Sequence, residues 1–289
     1  MNNITLNKNH TLLVFFLSLF FYLYNLKFDF EILPLICFFL IATIGVSHGA
    51  LDHQKGKKLL KNMKIKNMGI FYLTYTCFSL LIIFFWILFP AFTLIIFLLF
   101  ASYHFGKEDS VFENRRNIKF LNFFLLIKGL LIILAPFYFH SKEALEIFEN
   151  LNVEMLPIND NILISFIILS LVSNITISRN FLFPLSDSFT IILLNITFAP
   201  LVAFTIYFCF LHSIRHSFSL VNEIDKNNFK KGLINFTKKA LPLTFLTGIL
   251  FLISLFILNK YYLLNSAIIK VIFIGLASLT FPHILLEYL

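Results

Sequence analysis

Charged residues are scarce in this chain. Only 13% of its 289 residues are Asp, Glu, Lys or Arg, whereas 59% are hydrophobic, and the mean hydropathy is +0.87. No polar stretch is long enough to form a separate water-soluble domain. These values lie far outside those of soluble globular proteins. Residues 1–289 are therefore predicted to form a single integral membrane domain.

Cysteine is also scarce, and its spacing excludes two kinds of site. Cys37, Cys77 and Cys209 all lie within apolar runs, and no two of them have the C-x-x-C spacing. Neither a disulfide framework nor a zinc ribbon is predicted. An H-E-x-x-H motif, which would supply the ligands and general base of an intramembrane zinc protease, is absent as well.

Long apolar runs recur along the whole chain. They cover approximately 10–27, 32–53, 69–89, 91–106, 118–139, 160–178, 183–199, 201–218, 240–258 and 264–286. A membrane span needs about 20 mostly apolar residues. Pro90 and Pro200 each interrupt a stretch too long for one span, and we interpret both prolines as turns. No small-x-small cleavage site follows the first run, so that run is predicted to be a retained helix. The prediction is an all-α polytopic membrane bundle of about ten helices, with a range of eight to ten.

Basic residues are distributed unequally between the two sides of this predicted bundle. Of the 23 Lys and Arg residues, 17 fall on one side, 3 fall on the other, and 3 lie within spans. The positive-inside rule places the basic loops and both termini in the cytoplasm, as expected for a multi-pass inner-membrane protein. The three basic loops are 54–68, 107–118 and 219–239. Lysines in such loops meet anionic lipid headgroups. The net charge of +8 therefore predicts no nucleic-acid partner.

Six of the eight histidines lie in four polar motifs at the ends of predicted helices. The motifs are SHGALDH with His48 and His53, ASYHFGKED with His104, FLHSIRHSF with His212 and His216, and TFPHILLEYL with His283. All four motifs lie on the predicted cytoplasmic side, so their imidazoles should reach one level of one leaflet. Ionisable groups within a membrane are costly, and function is their default interpretation. His10 and His140 lie near loops or span ends and are interpreted as ordinary interfacial residues.

His212 and His216 have a spacing that suits a metal site. At positions i and i+4 they project from one face of a helix and can hold one metal ion. His48 and His104 are predicted to reach the same level, which gives four nitrogen donors and no thiolate. Such a set suits iron, copper, zinc or nickel, so the donor type alone does not identify the metal.

Carboxylates accompany these histidines. Ligating imidazoles usually donate their second N–H to a carboxylate or carbonyl, and the available carboxylates are Asp52, Glu108, Asp109 and Glu287. Asp52 follows His48 by one turn on the same predicted helical face, whereas His53 is rotated by about 140°. Arg215, between the paired histidines, needs a carboxylate partner if it is buried.

The motifs GVSHGALDH, YHFGKED, HSIRH and FPHILLEY together resemble those of the Brp/Blh family. Its members are bacterial and archaeal membrane proteins, the beta-carotene 15,15'-dioxygenases that make retinal for microbial rhodopsins. The resemblance runs from about residue 40 to the C-terminus, and HGALDH is its most specific element.

This resemblance implies a site and a reaction. It implies an Fe(II) centre whose proposed ligands are His48, His104, His212 and His216. It also implies motif residues in supporting roles at Asp52, His53, Arg215 and His283. The implied reaction cleaves beta-carotene with O2 into two all-trans-retinal molecules within the lipid bilayer, with a functional link to a microbial rhodopsin.

Two other interpretations remain open at this point. A di-iron membrane desaturase or carotenoid hydroxylase also uses H-x-x-x-H boxes, but it uses a fuller histidine set that includes H-x-x-H-H. Here only six histidines lie in motifs, and no H-H pair exists. A histidine-containing transporter predicts polar groups at several depths of the membrane. Among intramembrane basic residues, only Lys128 and Lys270 lie away from the histidine motifs.

We expect residue 230 to face the cytoplasm. A single cysteine introduced by Lys230→Cys, with the three native cysteines replaced, should react with an impermeant maleimide only after the cells are permeabilised. Lys142→Cys, in the loop predicted on the opposite side, is the matched control and should be labelled in intact cells. Labelling of residue 230 in intact cells would contradict the topology and the shared side of the histidine motifs.

Overall fold

The structure is a computed structural model that describes residues 3–26 and 31–288; the side chains of residues 3, 4 and 48 lie outside the description. The described chain is built from helices. In chain order they are α1 (Asn3–Leu23), α2 (Leu33–Thr43), a 3-10 segment (Gly45–Leu51), α3 (Asp52–Asn62), α4 (Met68–Leu88), α5 (Pro90–Glu108), α6 (Leu121–Phe139), α7 (Ser141–Asn150), α8 (Asp160–Ile177), α9 (Leu182–Thr197), α10 (Pro200–Ile206), a π-helical segment (Tyr207–Ser213), α11 (Ile214–Ile224), α12 (Phe229–Leu258) and α13 (Leu264–Tyr288). The predicted all-α architecture is confirmed.

Within the described ranges, seven helical stretches are long and apolar enough to cross a membrane. They are α4, α5, α6, α8, the continuous stretch from α10 to α11, α12 and α13. The number rises to eight if α2 and α3, which meet at a bend, form one broken span. The predicted polytopic bundle is therefore confirmed, with seven or eight candidate spans among the described residues in place of the predicted ten. Of the other two predicted runs, one forms α1, and the other forms α9, a shorter apolar helix of 16 residues.

Pro90 and Pro200 each stand at the start of a new helix. Pro90 begins α5 after Phe89, and Pro200 begins α10 after Ala199. Proline is favoured at the first helical position, because the missing N–H would have no intrahelical partner there. The interpretation of both prolines as turns between separate helices is confirmed.

The charged stretches are more helical than their hydropathy predicts. Most of the predicted loop 54–68 belongs to α3, and the loop 140–159 contains α7. The predicted loop 219–239 shrinks to 225–228, between α11 and α12. Lysine and glutamate are good helix formers, so the helices extend beyond the apolar residues that mark their membrane portions.

Two segments near the histidine motifs depart from α-helical winding. The 3-10 segment contains the backbone of His48, and the π-helical segment contains His212. The Ser213 hydroxyl donates a hydrogen bond to the Gly45 carbonyl at 2.9 Å and joins the two segments. A Cβ atom at Gly45 would lie 2.6 Å from the Phe208 ring, so a larger residue there would displace that ring.

Helices α5 and α6 approach each other closely at two glycines. A Cβ atom at Gly106 would lie 1.8 Å from the Leu125 carbonyl oxygen, and one at Gly129 would lie 1.8 Å from that of Ser102. Small residues permit such backbone contact between membrane helices. The contact fixes the position of α5, which carries His104.

We expect Gly129→Ala to destabilise the bundle by about 1–3 kcal/mol, because the new methyl group forces α5 away from α6. Thermal unfolding in detergent and the yield of monodisperse protein measure this change. Gly248→Ala is the matched control, since the nearest atom that its Cβ would meet is the Ala42 carbonyl oxygen at 3.8 Å. Equal stability of the two variants would contradict the proposed role of the close contact.

Candidate metal centre

Four histidine rings gather in the interior of the bundle. They belong to His104 on α5, His212 in the π-helical segment, His216 on α11 and His283 on α13. The ring centroids of His104 and His212 are 5.3 Å apart, as are those of His104 and His283. The centroids of His216 and His283 are 5.8 Å apart. All four residues are buried. We call this set the imidazole cluster.

The structure brings together three of the four predicted ligands. His104, His212 and His216 all belong to the imidazole cluster. The side chain of the fourth predicted ligand, His48, lies outside the described residues. His283, which the sequence placed among the supporting residues, lies within the cluster itself.

Three of the cluster rings are held by carboxylates through the same ring atom. The Nδ1 contacts are His212 to Asp109 at 3.1 Å, His216 to Glu108 at 2.9 Å, and His283 to Asp52 at 2.8 Å. An ionised carboxylate only accepts hydrogen bonds, so Nδ1 carries the proton and Nε2 carries the lone pair in the neutral ring. Carboxylates hold metal-ligating histidines in this way.

The π-helical segment changes which residues surround His212. Tyr207 and Phe208 both contact the His212 ring, with centroid distances of 6.2 and 5.8 Å, and Phe208 lies nearly parallel to it. The wider π turn places two consecutive residues, Tyr207 and Phe208, beside the ring of His212, which follows them by one turn. Single π turns within α-helices are frequent at functional sites.

Arg215 is fully enclosed and contacts two carboxylates. Its guanidinium donates to Asp187 on α9 at 2.8 Å and lies 3.5 Å from the side chain of Asp109. It also donates to the Thr11 hydroxyl on α1 at 3.0 Å. The Tyr207 hydroxyl donates to the other Asp109 oxygen at 2.7 Å. The carboxylate partner expected for a buried Arg215 is therefore present, and there are two of them, Asp187 and Asp109. Asp109 also connects Arg215 to His212.

Glu287 lies at the opposite side of the cluster. Its Oε1 atom is 4.0 Å from Nε2 of both His216 and His283. These three residues present ligand atoms within 4.8 Å of one another. Lys55 on α3 forms an ion pair with the same carboxylate.

The charge of the cluster fits a bound cation. Four largely buried carboxylates, Asp52, Glu108, Asp109 and Glu287, lie beside the rings, and a fifth, Asp187, contacts Arg215. In the described part of the chain, the basic side chains paired directly with them are Arg215 and Lys55. With neutral imidazoles, the group is negative in a medium where uncompensated charge is costly. A divalent metal ion would offset this charge, and neutral nitrogen donors suit such an ion.

The family profile described as "Beta-carotene 15,15'-dioxygenase" matches residues 39–289, which include every residue of the imidazole cluster. The chain belongs to this family. It is 28% identical over 253 residues to the "Beta-carotene 15,15'-dioxygenase" of Uncultured marine bacterium 66A03, an alignment that covers 86% of this chain and 90% of that relative. No solved structure matches the chain.

Asp52 and His53 have different surroundings in this member of the dioxygenase family. Asp52 accepts hydrogen bonds from the His283 ring and, at 2.9 Å, from the Tyr75 hydroxyl. His53 donates from Nδ1 to the Ala50 carbonyl at 3.0 Å and lines a neighbouring cavity. Asp52 therefore holds the ring of His283, 231 residues away; its spacing had pointed to His48, whose side chain lies outside the described residues.

Sequence reasoning placed His283 among the supporting residues, whereas its ring lies in the cluster itself, and did not single out Asp187, Tyr207 or Tyr75. For His283 a signal was available, since Glu287 follows it by one helical turn and both can reach one cation. For the other three residues no local pattern existed, because their partners come from distant helices.

Replacing Arg215 should destabilise this dioxygenase family member strongly. Arg215→Met leaves two buried carboxylates without their cation, and breaking such a pair costs about 3–5 kcal/mol. We expect loss of folded protein in detergent, measured by thermal unfolding, and partial recovery in the double variant Arg215→Met/Asp187→Asn. The exposed Arg116→Met is the control and should change stability by less than about 0.5 kcal/mol. A normal melting temperature for Arg215→Met would refute this account of the network.

Proposed function

We propose that this protein is a membrane-embedded iron(II) oxygenase that cleaves the central 15,15' double bond of beta-carotene with O2 and releases two all-trans-retinal molecules. Membership of the beta-carotene 15,15'-dioxygenase family supports this proposal. The observation that carries it is the buried set of imidazoles whose Nδ1 atoms are held by carboxylates, inside a helical bundle of membrane type.

The proposed reaction balances without a further reactant. The carbon–carbon double bond breaks, and each of its two carbons forms a C=O bond to one atom of O2. The polyene is oxidised and O2 is reduced, so neither a proton nor an external electron donor is consumed. Bound iron(II) would supply the redox-active centre at which O2 is activated, a chemistry known for non-haem sites with open coordination positions.

The side chains of the cluster would have two kinds of task. His48, His104, His212 and His216 are the proposed iron ligands, and His283 and Glu287 lie where they can complete the set. Asp109, Glu108 and Asp52 keep the proton on Nδ1 of their rings, so that Nε2 is the donor atom. Arg215 and Tyr207 in turn hold the carboxylate of Asp109.

The surroundings of the cluster suit a hydrocarbon substrate. Phe105 meets the His212 ring edge to face at 4.8 Å, and Phe208 is stacked on the same ring. These two aromatic side chains exclude water from one side of the imidazole. Beta-carotene offers no carbonyl, phosphate or charge, so its recognition must rest on apolar contact and shape. The substrate would enter from the lipid bilayer and the products would leave into it, where retinal can pass to a microbial rhodopsin.

Among the contacts of the described residues, neither alternative function has a comparable set in its favour. A second iron would need further ligands, but His10 packs against Phe218 and His140 lies 3.8 Å from Glu143. Lys128, which a transport pathway would leave open to ions, is buried and paired with Glu113 and Ser110. One iron per chain is therefore the stoichiometry that we propose.

Purified wild-type protein should contain one iron per chain and convert beta-carotene to retinal. His104→Ala and His212→Ala should each lower turnover by more than about 100-fold and reduce iron content, since even residues that only orient ligands contribute 10–100-fold. The double variant should lose little more, because residues acting as one unit are non-additive. His140→Ala is the control and should retain most activity. Two essential irons would favour the desaturase-like alternative, and near-normal retinal formation by a well-folded His212→Ala protein would refute the proposed site.

A further inference from the structure

A cavity beside the imidazole cluster reaches the outer surface of the bundle. It has a volume of about 220 Å³ and lies between α4, α12, α13 and the 3-10 segment. Its wall includes the buried side chains of His283 and Asp52. Tyr72 on α4 and Leu246 on α12, which are 46% and 52% exposed, also belong to this wall. The cavity therefore extends from the candidate metal centre to the lipid-facing surface. We call it the lateral cavity.

Two other spaces in the bundle have no histidine among the described residues of their walls. One is a space of about 80 Å³ between α5, α6 and α7, and the other is a groove of about 430 Å³ between α2 and α12. The groove and the lateral cavity adjoin the same helix, since Thr244 lines the groove and Thr247 lines the lateral cavity. Helix α12 thus separates two spaces, and of these two the lateral cavity is the one that reaches the cluster.

The part of α12 that lines the lateral cavity is packed loosely. None of residues 241–250, all of which the structure describes, is buried. Phe236 and Ala240 before this stretch, and Phe251 and Leu255 after it, are buried. A segment with few buried contacts has a low local stability. The wall formed by α12 can therefore yield to a bulky molecule that arrives from the bilayer.

Polar groups in the wall of the lateral cavity have partners within the protein. One carboxylate oxygen of Asp52 accepts from the His283 ring at 2.8 Å, and the other accepts from the Tyr75 hydroxyl at 2.9 Å. The Thr247 hydroxyl donates to the Leu243 carbonyl of its own helix at 2.9 Å. A hydrocarbon can therefore lie beside these groups without depriving them of a hydrogen bond, which would be costly in a buried site.

The volume of the lateral cavity suits one arm of a polyene. An apolar cavity of about 150 Å³ binds benzene. By the same ratio, the 220 Å³ of the lateral cavity holds a chain of roughly nine carbon atoms. The arm of beta-carotene between a central carbon and its end ring has a similar number of chain carbons. The bulkier ring would then lie at the exposed mouth, among Tyr72, Leu246 and lipid.

We propose that the lateral cavity binds one arm of beta-carotene and, after cleavage, the retinal formed from that arm. The arm would come from the bilayer between α4 and α12, and its inner end would lie beside His283 at the imidazole cluster. The retinal would leave through the same mouth with its ring leading. This inference rests on the proposed function and assigns recognition of the hydrocarbon to α4, α12 and α13.

Two pairs of threonines test this binding site. Thr247→Phe on α12 and Thr76→Phe on α4 each place a phenyl ring in the lateral cavity. Their controls are Thr244→Phe, which fills the groove between α2 and α12, and Thr74→Phe, on an exposed part of α4 that lines neither space. We expect kcat/KM for beta-carotene to fall by at least about tenfold in the first pair, as for a group that no longer fits an apolar pocket. In the control pair it should stay within about twofold of wild type.

A binding measurement separates this site from the reaction. Without O2, the beta-carotene retained per chain after gel filtration should fall by at least about tenfold in the first pair, with unchanged iron content, and stay at the wild-type amount in the controls. Because Thr76 is exposed, Thr76→Phe decides the matter if Thr247→Phe does not fold. Equal retention in the two pairs, or equal loss in both, would overturn the inference. Wild-type protein that retains beta-carotene but forms no retinal when O2 is admitted would overturn the proposed function instead.

Discussion

The pairing of buried charges is the constraint on which the rest of the structure depends. Inside a bundle of apolar helices, an unpaired carboxylate or guanidinium costs more than most packing contacts can offset. Arg215 therefore contacts α1 through Thr11, α9 through Asp187, and the end of α5 through Asp109. The helices must occupy positions where these groups meet, so the polar network restricts their arrangement more tightly than apolar packing alone, since apolar side chains pack equally well against lipid.

The same network orients the donor atoms of the candidate metal centre. Each carboxylate that holds an imidazole comes from another helix than its ring, so a correct tautomer requires correct helix packing. The 3-10 and π-helical segments are joined by the hydrogen bond from Ser213 to Gly45 and carry two motif histidines, His48 and His212. The backbone of both histidines therefore departs from regular α-helical winding. Such irregular backbone is acceptable at membrane depth only where protein surrounds it. The packing of the helices therefore also sets the orientation of the candidate ligand rings.

Much of this architecture could be predicted from hydropathy, because spans are long apolar runs and Pro90 and Pro200 divide two of them. The helical state of the charged stretches could not, since hydropathy measures transfer into lipid and not helix propensity. The i, i+4 spacing of His212 and His216 predicted a shared site because the geometry is local. The pairing of His283 with Asp52 escaped prediction because it joins residues 231 positions apart. The change of helical winding at Tyr207–Ser213 escaped it because hydrogen-bond register leaves no mark on composition.

A charged centre and a hydrocarbon substrate place opposite demands on one small volume. The carboxylates and Arg215 satisfy the electrostatic demand from within the helices, whereas Phe105 and Phe208 present apolar surface beside His212. A hydrocarbon gives the protein no hydrogen bond by which to select one double bond from several similar ones. An apolar pocket discriminates only by about 1–3 kcal/mol per methylene group that fails to fit. Recognition of a hydrocarbon must therefore rest on the shape of the apolar surface, whereas the proposed iron site would supply the chemistry.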